Sequence, residues 1–210
     1  MRLRHFVALS LIAFSVALAG AARADDAQGF VQREHAKIDP LLRQQPSATR
    51  DAGINRALDT FVDFDELTRR AFGEPCHSTR PNCADFWSQY SDAQKAELRD
   101  LFKQVVQKNY RKNLLKTVDY DVDYRGMRDL GNGTQVETEA KNRQKPRDPS
   151  ARVDYIVTQT QNGFRVVDIV TEGSSLAKTY YDMFRKKMED PDKGYRSIVQ
   201  SLKDKIAKSD

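Results

Sequence analysis

The residues able to do chemistry are few, and their spacing decides what they can do. A hydrolase needs a nucleophile, a base within reach and a group that orients the base. Ser174 and Ser175 follow Gly173, but no G-x-S-x-G sequence surrounds them, and beyond the first few residues only His35 and His77 offer an imidazole. A serine pair where a strand gives way to a helix suits a cap, because its hydroxyl accepts from an orphan helix N–H. Asp168 stands between Val167 and Ile169 in an apolar stretch, a setting that would suit a buried general base. No acid partner accompanies it, so a carboxylate facing solvent or bonding a helix N-terminus is the simpler account. No H-E-x-x-H, P-loop or G-x-G-x-x-G sequence occurs. The expectation is no catalytic residue and no cofactor.

Cys76 and Cys83 lie within GEPCHSTRPNCADFW, Gly73 to Trp87. A structural metal site takes about four ligands, and His77 is the only other soft ligand nearby. Two close cysteines in an exported chain point to a disulfide stapling a loop. No metal is expected.

The elements that would position these residues follow from periodicity. Phe30, Val31, Ile38, Leu41 and Leu42 approximate helical spacing and end near Pro46. Ile54, Ala57, Leu58, Phe61 and Val62 mark a second helix, and Asp63 caps a short third one carrying Phe64, Leu67, Ala71 and Phe72. Ser91 and Gln94 form a capping box for a long helix through Leu98, Phe102, Val105, Val106, Tyr110 and Leu114. The period then falls to two. Tyr120, Val122 and Tyr124 alternate with aspartates, Val136, Thr138 and Ala140 follow the Asn132-Gly133 turn, and Val153, Tyr155 and Val157 make a third strand. Asn162-Gly163 turns into a fourth strand, Phe164 to Thr171. Two helices close the chain, one with Leu176, Tyr180, Met183 and Phe184, the other with Tyr195, Ile198, Val199, Leu202 and Ile206. This order predicts an α+β domain with a four-stranded antiparallel sheet covered by helices.

The N-terminus indicates export. Arg2 and Arg4 precede an uncharged run from Phe6 to Ala19, 14 residues long, and Ala22-Arg23-Ala24 offers a signal-peptidase site. We therefore expect residues 1–24 to be a cleaved signal peptide and residues 25–210 a single domain in the periplasm. Cleavage removes Arg2, Arg4 and Arg23, leaving 32 of the 35 basic residues against 30 acidic ones, a net charge of +2. The basic residues are interleaved with acids and form no stripe, which argues against nucleic acid as a partner.

Apolar and aromatic side chains remain in quantity. Phe61, Phe64, Phe72, Phe102, Tyr110, Tyr124, Tyr155, Phe164, Tyr180 and Phe184 fall on inferred inward faces. From periodicity alone, core filling is the simpler account.

Their order resembles that of a known family. Phe164 to Phe184 reads FRVVDIVTEGSSLAKTYYDMF, followed by YRSIVQSLKDKI from Tyr195 to Ile206. Upstream stand VDFDELTRRAFG, Val62 to Gly73, and WSQYSDAQKAELRDLFKQVVQKNY, Trp87 to Tyr110. Together these resemble the MlaC, or toluene-tolerance, family of periplasmic phospholipid-binding proteins over almost the whole exported chain. The chain departs from the pattern twice: the stapled insertion separates Gly73 from Trp87, and Tyr181 stands where the family commonly has Arg.

The resemblance implies a deep apolar pocket that takes phospholipid acyl chains while the headgroup stays at the mouth. It implies a carrier, not an enzyme, with phospholipid as cargo. Its implied partners are an inner-membrane ABC transporter with an MCE-domain protein and an outer-membrane lipoprotein complex. On this reading the candidate lipid-binding residues are Phe61, Phe64, Phe72, Phe102, Val105, Val106, Tyr110, Tyr124, Tyr155, Leu176, Tyr180 and Phe184. Three alternatives stand beside it: a carrier of another lipid such as a hopanoid, a cone-shaped α+β enzyme using Asp168 on an apolar substrate, and a structural periplasmic adaptor with a filled core that binds no lipid.

Overall fold

Caps and turns set the boundaries of the elements. The computed structural model describes residues 18–76, 83–116 and 118–208, with side chains from residue 27 onward. Helix α1 (Leu18–Leu42) leads into α2 (Ala48–Phe61), whose N-cap Ser47 accepts from the Arg50 N–H. Asp63 caps α3 (Phe64–Ala71) by accepting from the Glu66 N–H. The capping box at the start of α4 (Asp92–Lys116) forms in both directions: Gln94 N–H donates to Ser91 Oγ at 3.3 Å, and Ser91 N–H to Gln94 Oε1 at 3.0 Å.

Two helices begin earlier than hydrophobic periodicity suggests. Ala-rich sequence extends α1 upstream of Phe30, and Ser47 starts α2 before its first apolar residue. Residues 1–17 of the expected signal peptide lie outside the described residues, and the backbone of Leu18–Ala24 belongs to α1.

The sheet is an antiparallel meander in the order β1-β2-β3-β4-β5. Its strands are β1 (Tyr120–Asp129), β2 (Thr134–Asn142), β3 (Ala151–Thr160), β4 (Gly163–Thr171) and β5 (Ser174–Ser175). The fifth strand was not expected. Gly173 does not simply end β4: Glu172 and Gly173 take φ of 48° and 76°, and this tight reversal pairs Ser174 and Ser175 with Thr171 and Val170. Ser175 also caps α5 (Leu176–Met188) by accepting from the Lys178 N–H, and α6 (Gly194–Lys208) follows. Register shifts at Tyr124/Gly126 and at Ile156/Val157 add bulges, which bend a sheet.

One end of the molecule is solid. Phe72, Phe102 and Phe184 are fully buried, with Phe72 stacked on Phe184 at 4.5 Å and Phe102 edge-on to it at 6.0 Å. Leu67, Leu98, Ile198 and Leu202 fill the space between α3, α4 and α6. A bridge from Val62 to Val166 and the Asp63 N–H to Val166 C=O bond of 2.8 Å tie this end to β4.

The Cys76–Cys83 disulfide is formed, with the Cα atoms 5.6 Å apart. The insertion it closes is fastened to the core, as Phe86 N–H donates to Phe72 C=O at 3.0 Å and Ala84 N–H to Tyr181 Oη at 2.8 Å. Gly73 permits this approach. It sits at φ 88°, and a Cβ there would run into the Ala84 carbonyl and the Tyr181 ring.

Candidate functional site

The other end is hollow. A cavity of about 970 Å³ lies between the inner face of the sheet, α1, the C-terminal half of α4 and the start of α5. Strand alternation lines its floor in rows. Val122, Ala140 and Ala151 form one row, Tyr124, Thr138, Val153 and Thr171 the next, and Tyr155 with Ile169 the innermost. Helical spacing supplies the walls: Gln32, His35 and Asp39 on α1 with Arg43 just past its end, and Val106, Tyr110 and Asn113 on α4. Leu176, Thr179 and Tyr180 close the side next to α5.

The two ends of the cavity differ in charge. The mouth lies where β1 and β3 begin and β2 and β4 end, and Arg43, Lys116, Asp121 and Arg143 stand around it. Arg43 pairs with Asp39 at 2.9 Å and Arg143 with Asp121 at 3.4 Å, all four side chains well exposed. Pairs of this kind add little stability. The Arg43 guanidinium is nonetheless held above its ordinary range by the Asp39 hydrogen bond.

The inner end is aromatic and uncharged. His35 Nδ1 and Tyr124 Oη share a hydrogen bond of 2.8 Å, and Tyr110 Oη and Tyr155 Oη one of 3.2 Å. Phe61 backs this group, its ring 5.4 Å from Tyr155 and 5.7 Å from His35. Burial pushes the His35 imidazole from 6.5 down to about 4, with a smaller opposing pull from Glu34. Burial likewise pushes Tyr110 and Tyr124 up to about 12 and Tyr155 well above its ordinary value. At neutral pH none of the four is charged.

Six of the twelve residues expected at the site line the cavity: Val106, Tyr110, Tyr124, Tyr155, Leu176 and Tyr180. Phe72, Phe102, Val105 and Phe184 belong to the solid end, and Phe61 stands behind the wall. Phe64 borders a separate polar cleft with Asp59, Arg99 and Lys103. Sequence reasoning missed the polar liners Gln32, His35, Asp39 and Arg43. Their signal was present, since steps of three and four place them on one face of α1.

The chemistry weighed for Asp168 is absorbed by structure. Its Oδ1 accepts from Ile169 N–H at 2.9 Å and Ala177 N–H at 3.0 Å, and its Oδ2 accepts from Ser175 Oγ at 2.5 Å. The carboxylate thus bonds the N-terminus of α5 and does not line the cavity. Among the described residues no cluster of three or more His, Cys, Asp or Glu could hold a metal ion. No helix there is long and apolar enough to cross a membrane.

The fold and the site define a class: a single-sheet α+β pocket protein with an apolar interior and a charged mouth. The chain belongs to the MlaC family, whose model, described as "MlaC protein", matches residues 36–204. Among solved structures it is similar to a phospholipid-binding protein from Ralstonia solanacearum determined in complex with a phospholipid. The two share 22% identity over 88% of this chain and 98% of that one, with a TM-score of 0.72. At that identity the likeness is one of fold. No curated protein matches the chain.

Proposed function

We propose that this protein is a periplasmic phospholipid carrier that holds its cargo by the acyl chains and does no chemistry on it. The observation that carries the reading is the cavity, 970 Å³ of mainly apolar space with one charged mouth. A methylene takes up about as much room as one molecule of liquid water, roughly 30 Å³, so the space suits about two acyl chains. Each methylene withdrawn from water contributes about 0.8 kcal/mol, which makes enclosure sufficient for binding. Arg43, Lys116 and Arg143 at the mouth suit a phosphate left in solvent. Membership of the MlaC family and the phospholipid bound by the Ralstonia protein support the same reading.

In this reading the protein moves lipid between an outer-membrane lipoprotein complex and an inner-membrane ABC transporter with an MCE-domain protein. Native mass spectrometry and lipid extraction of protein purified from the periplasm without detergent test the first step. Phospholipid should accompany the folded chain. Folded protein that carries no lipid and takes none from phospholipid vesicles overturns the reading. Transfer of labelled lipid to proteoliposomes bearing the transporter complex tests delivery.

A further inference from the structure

His35, Tyr110, Tyr124 and Tyr155 meet well inside the cavity. Tyr124 and Tyr155 each lie four residues into their strands from the mouth, at Tyr120 and Ala151. At ~3.3 Å per residue that is a depth of about 13 Å. His35 is seven helical residues from Leu42 at the end of α1, about 11 Å at a rise of ~1.5 Å.

A phenol carries one O–H and a neutral imidazole one N–H, so the four side chains hold four donors. The hydrogen bonds His35–Tyr124 and Tyr110–Tyr155 each consume one donor, whichever way they point. Two donors are therefore left without a protein acceptor among the described residues. Both open onto the cavity among apolar neighbours such as Phe61, Val106 and Ile169, so an acceptor for them must come from what fills the cavity.

We propose that these side chains form a subsite for an uncharged oxygen acceptor, a hydroxyl or carbonyl borne on an acyl chain of the cargo. The proposal rests on the cavity's being a lipid site and narrows the cargo to lipids oxygenated within a chain. The acceptor is uncharged because the group holds no cation to meet an anion. Burial keeps His35 neutral above about pH 4, and the charge of the buried Glu34 carboxylate next to it is met by Lys37 at 2.5 Å. Phosphate and carboxylate belong at the mouth instead.

The test compares two probes on the delipidated protein: distearoyl phosphatidylglycerol, and its analogue with a mid-chain hydroxyl on each acyl chain. The wild type should bind the hydroxylated lipid about tenfold more tightly, as two net hydrogen bonds allow. Donor arithmetic then predicts an unusual mutational pattern. Tyr155→Phe alone frees the Tyr110 hydroxyl and keeps the preference. Tyr110→Phe with Tyr155→Phe removes one spare donor and reduces the preference to about threefold. Adding His35→Leu and Tyr124→Phe abolishes it, so that the two probes bind with equal affinity. Equal affinity of the wild type for both probes overturns the subsite and leaves the carrier reading standing. A preference unchanged in the folded double variant overturns it as well. Binding of neither probe overturns the carrier reading itself. The wild-type comparison decides even where a multiple variant fails to fold.

Discussion

The two halves of α4 carry much the same residue types into opposite surroundings. Leu98, Phe102 and Val105 enter a solid core between α3, α5 and α6. From the next residue on, Val106 and Tyr110 face an open cavity. What differs is what stands opposite them. The first half is packed by three, and their aromatic rings close the space by stacking on one another. On its cavity side the second half looks across to α1, the start of α5 and a bent sheet, and the side chains that line these walls leave the space between them open. Whether a side chain fills or lines is decided by its neighbours and not by its own hydrophobicity.

The comparison can be broken first at its solid end. Phe102→Ala should cost about 3–5 kcal/mol, because closely packed rings cannot collapse into the hole, and lipid per folded molecule should be unchanged. Tyr110→Ala enlarges a space already there and should cost clearly less in the same denaturation experiment. Equal losses at both positions would erase the distinction between the two ends. Removing the staple should come next. The loop is short, with a sequence separation of 7, so Cys76→Ser should lower stability by about 2–3 kcal/mol without altering lipid load. Two reactive thiols in the exported, non-reduced protein would show that the bridge does not form.

Adjacent valines sharpen the boundary further. Val105→Trp overpacks the core and should cost roughly 1–3 kcal/mol. Val106→Trp projects its indole into the cavity, so the protein should stay folded and leave the cell with less lipid. If both variants unfold to the same extent, the cavity does not begin at Val106.

The hollow end adds a pH slope, confined to acid conditions. His35 titrates near pH 4 in the folded protein against 6.5 when unfolded, so the unfolded chain binds the proton first. Stability should therefore fall as pH drops from about 6.5 to about 4 and gain nothing from His35 above that window. Denaturation midpoints of the wild type and His35→Leu across this range check it: the variant should show the shallower slope, and parallel curves would place His35 in water.

Much of the architecture was legible because the signals are local. Ser91 with Gln94, Asp63 and Ser175 each mark a helix start by the hydrogen bond its side chain makes, and the change of period after Leu114 marks the sheet. The two-residue β5 was not legible, since it depends on left-handed backbone at Glu172 as well as Gly173. Glutamate gives no hint of that conformation. The cavity was half legible. Alternation put Tyr124 and Tyr155 on the inner face, but Phe102 and Phe184 satisfy the same periodicity, and only their packing partners set them apart. The polar liners of α1 escaped because a helix with Gln32, His35, Asp39 and Arg43 on one side looks like a solvated face when its partner is unknown.

The bond between Tyr181 and the stapled insertion has a consequence for how such a protein can change. The Tyr181 hydroxyl, on a residue only 3% exposed, both accepts from Ala84 N–H and donates to Ala84 C=O, at 2.8 and 3.4 Å. Its ring lies against Phe86 and covers Gly73. Excising the insertion would strand that hydroxyl, and a cation in its place would be set against Phe86 and the buried backbone. Loop and phenol thus behave as one unit of exchange, to be gained, lost or transplanted into a relative together.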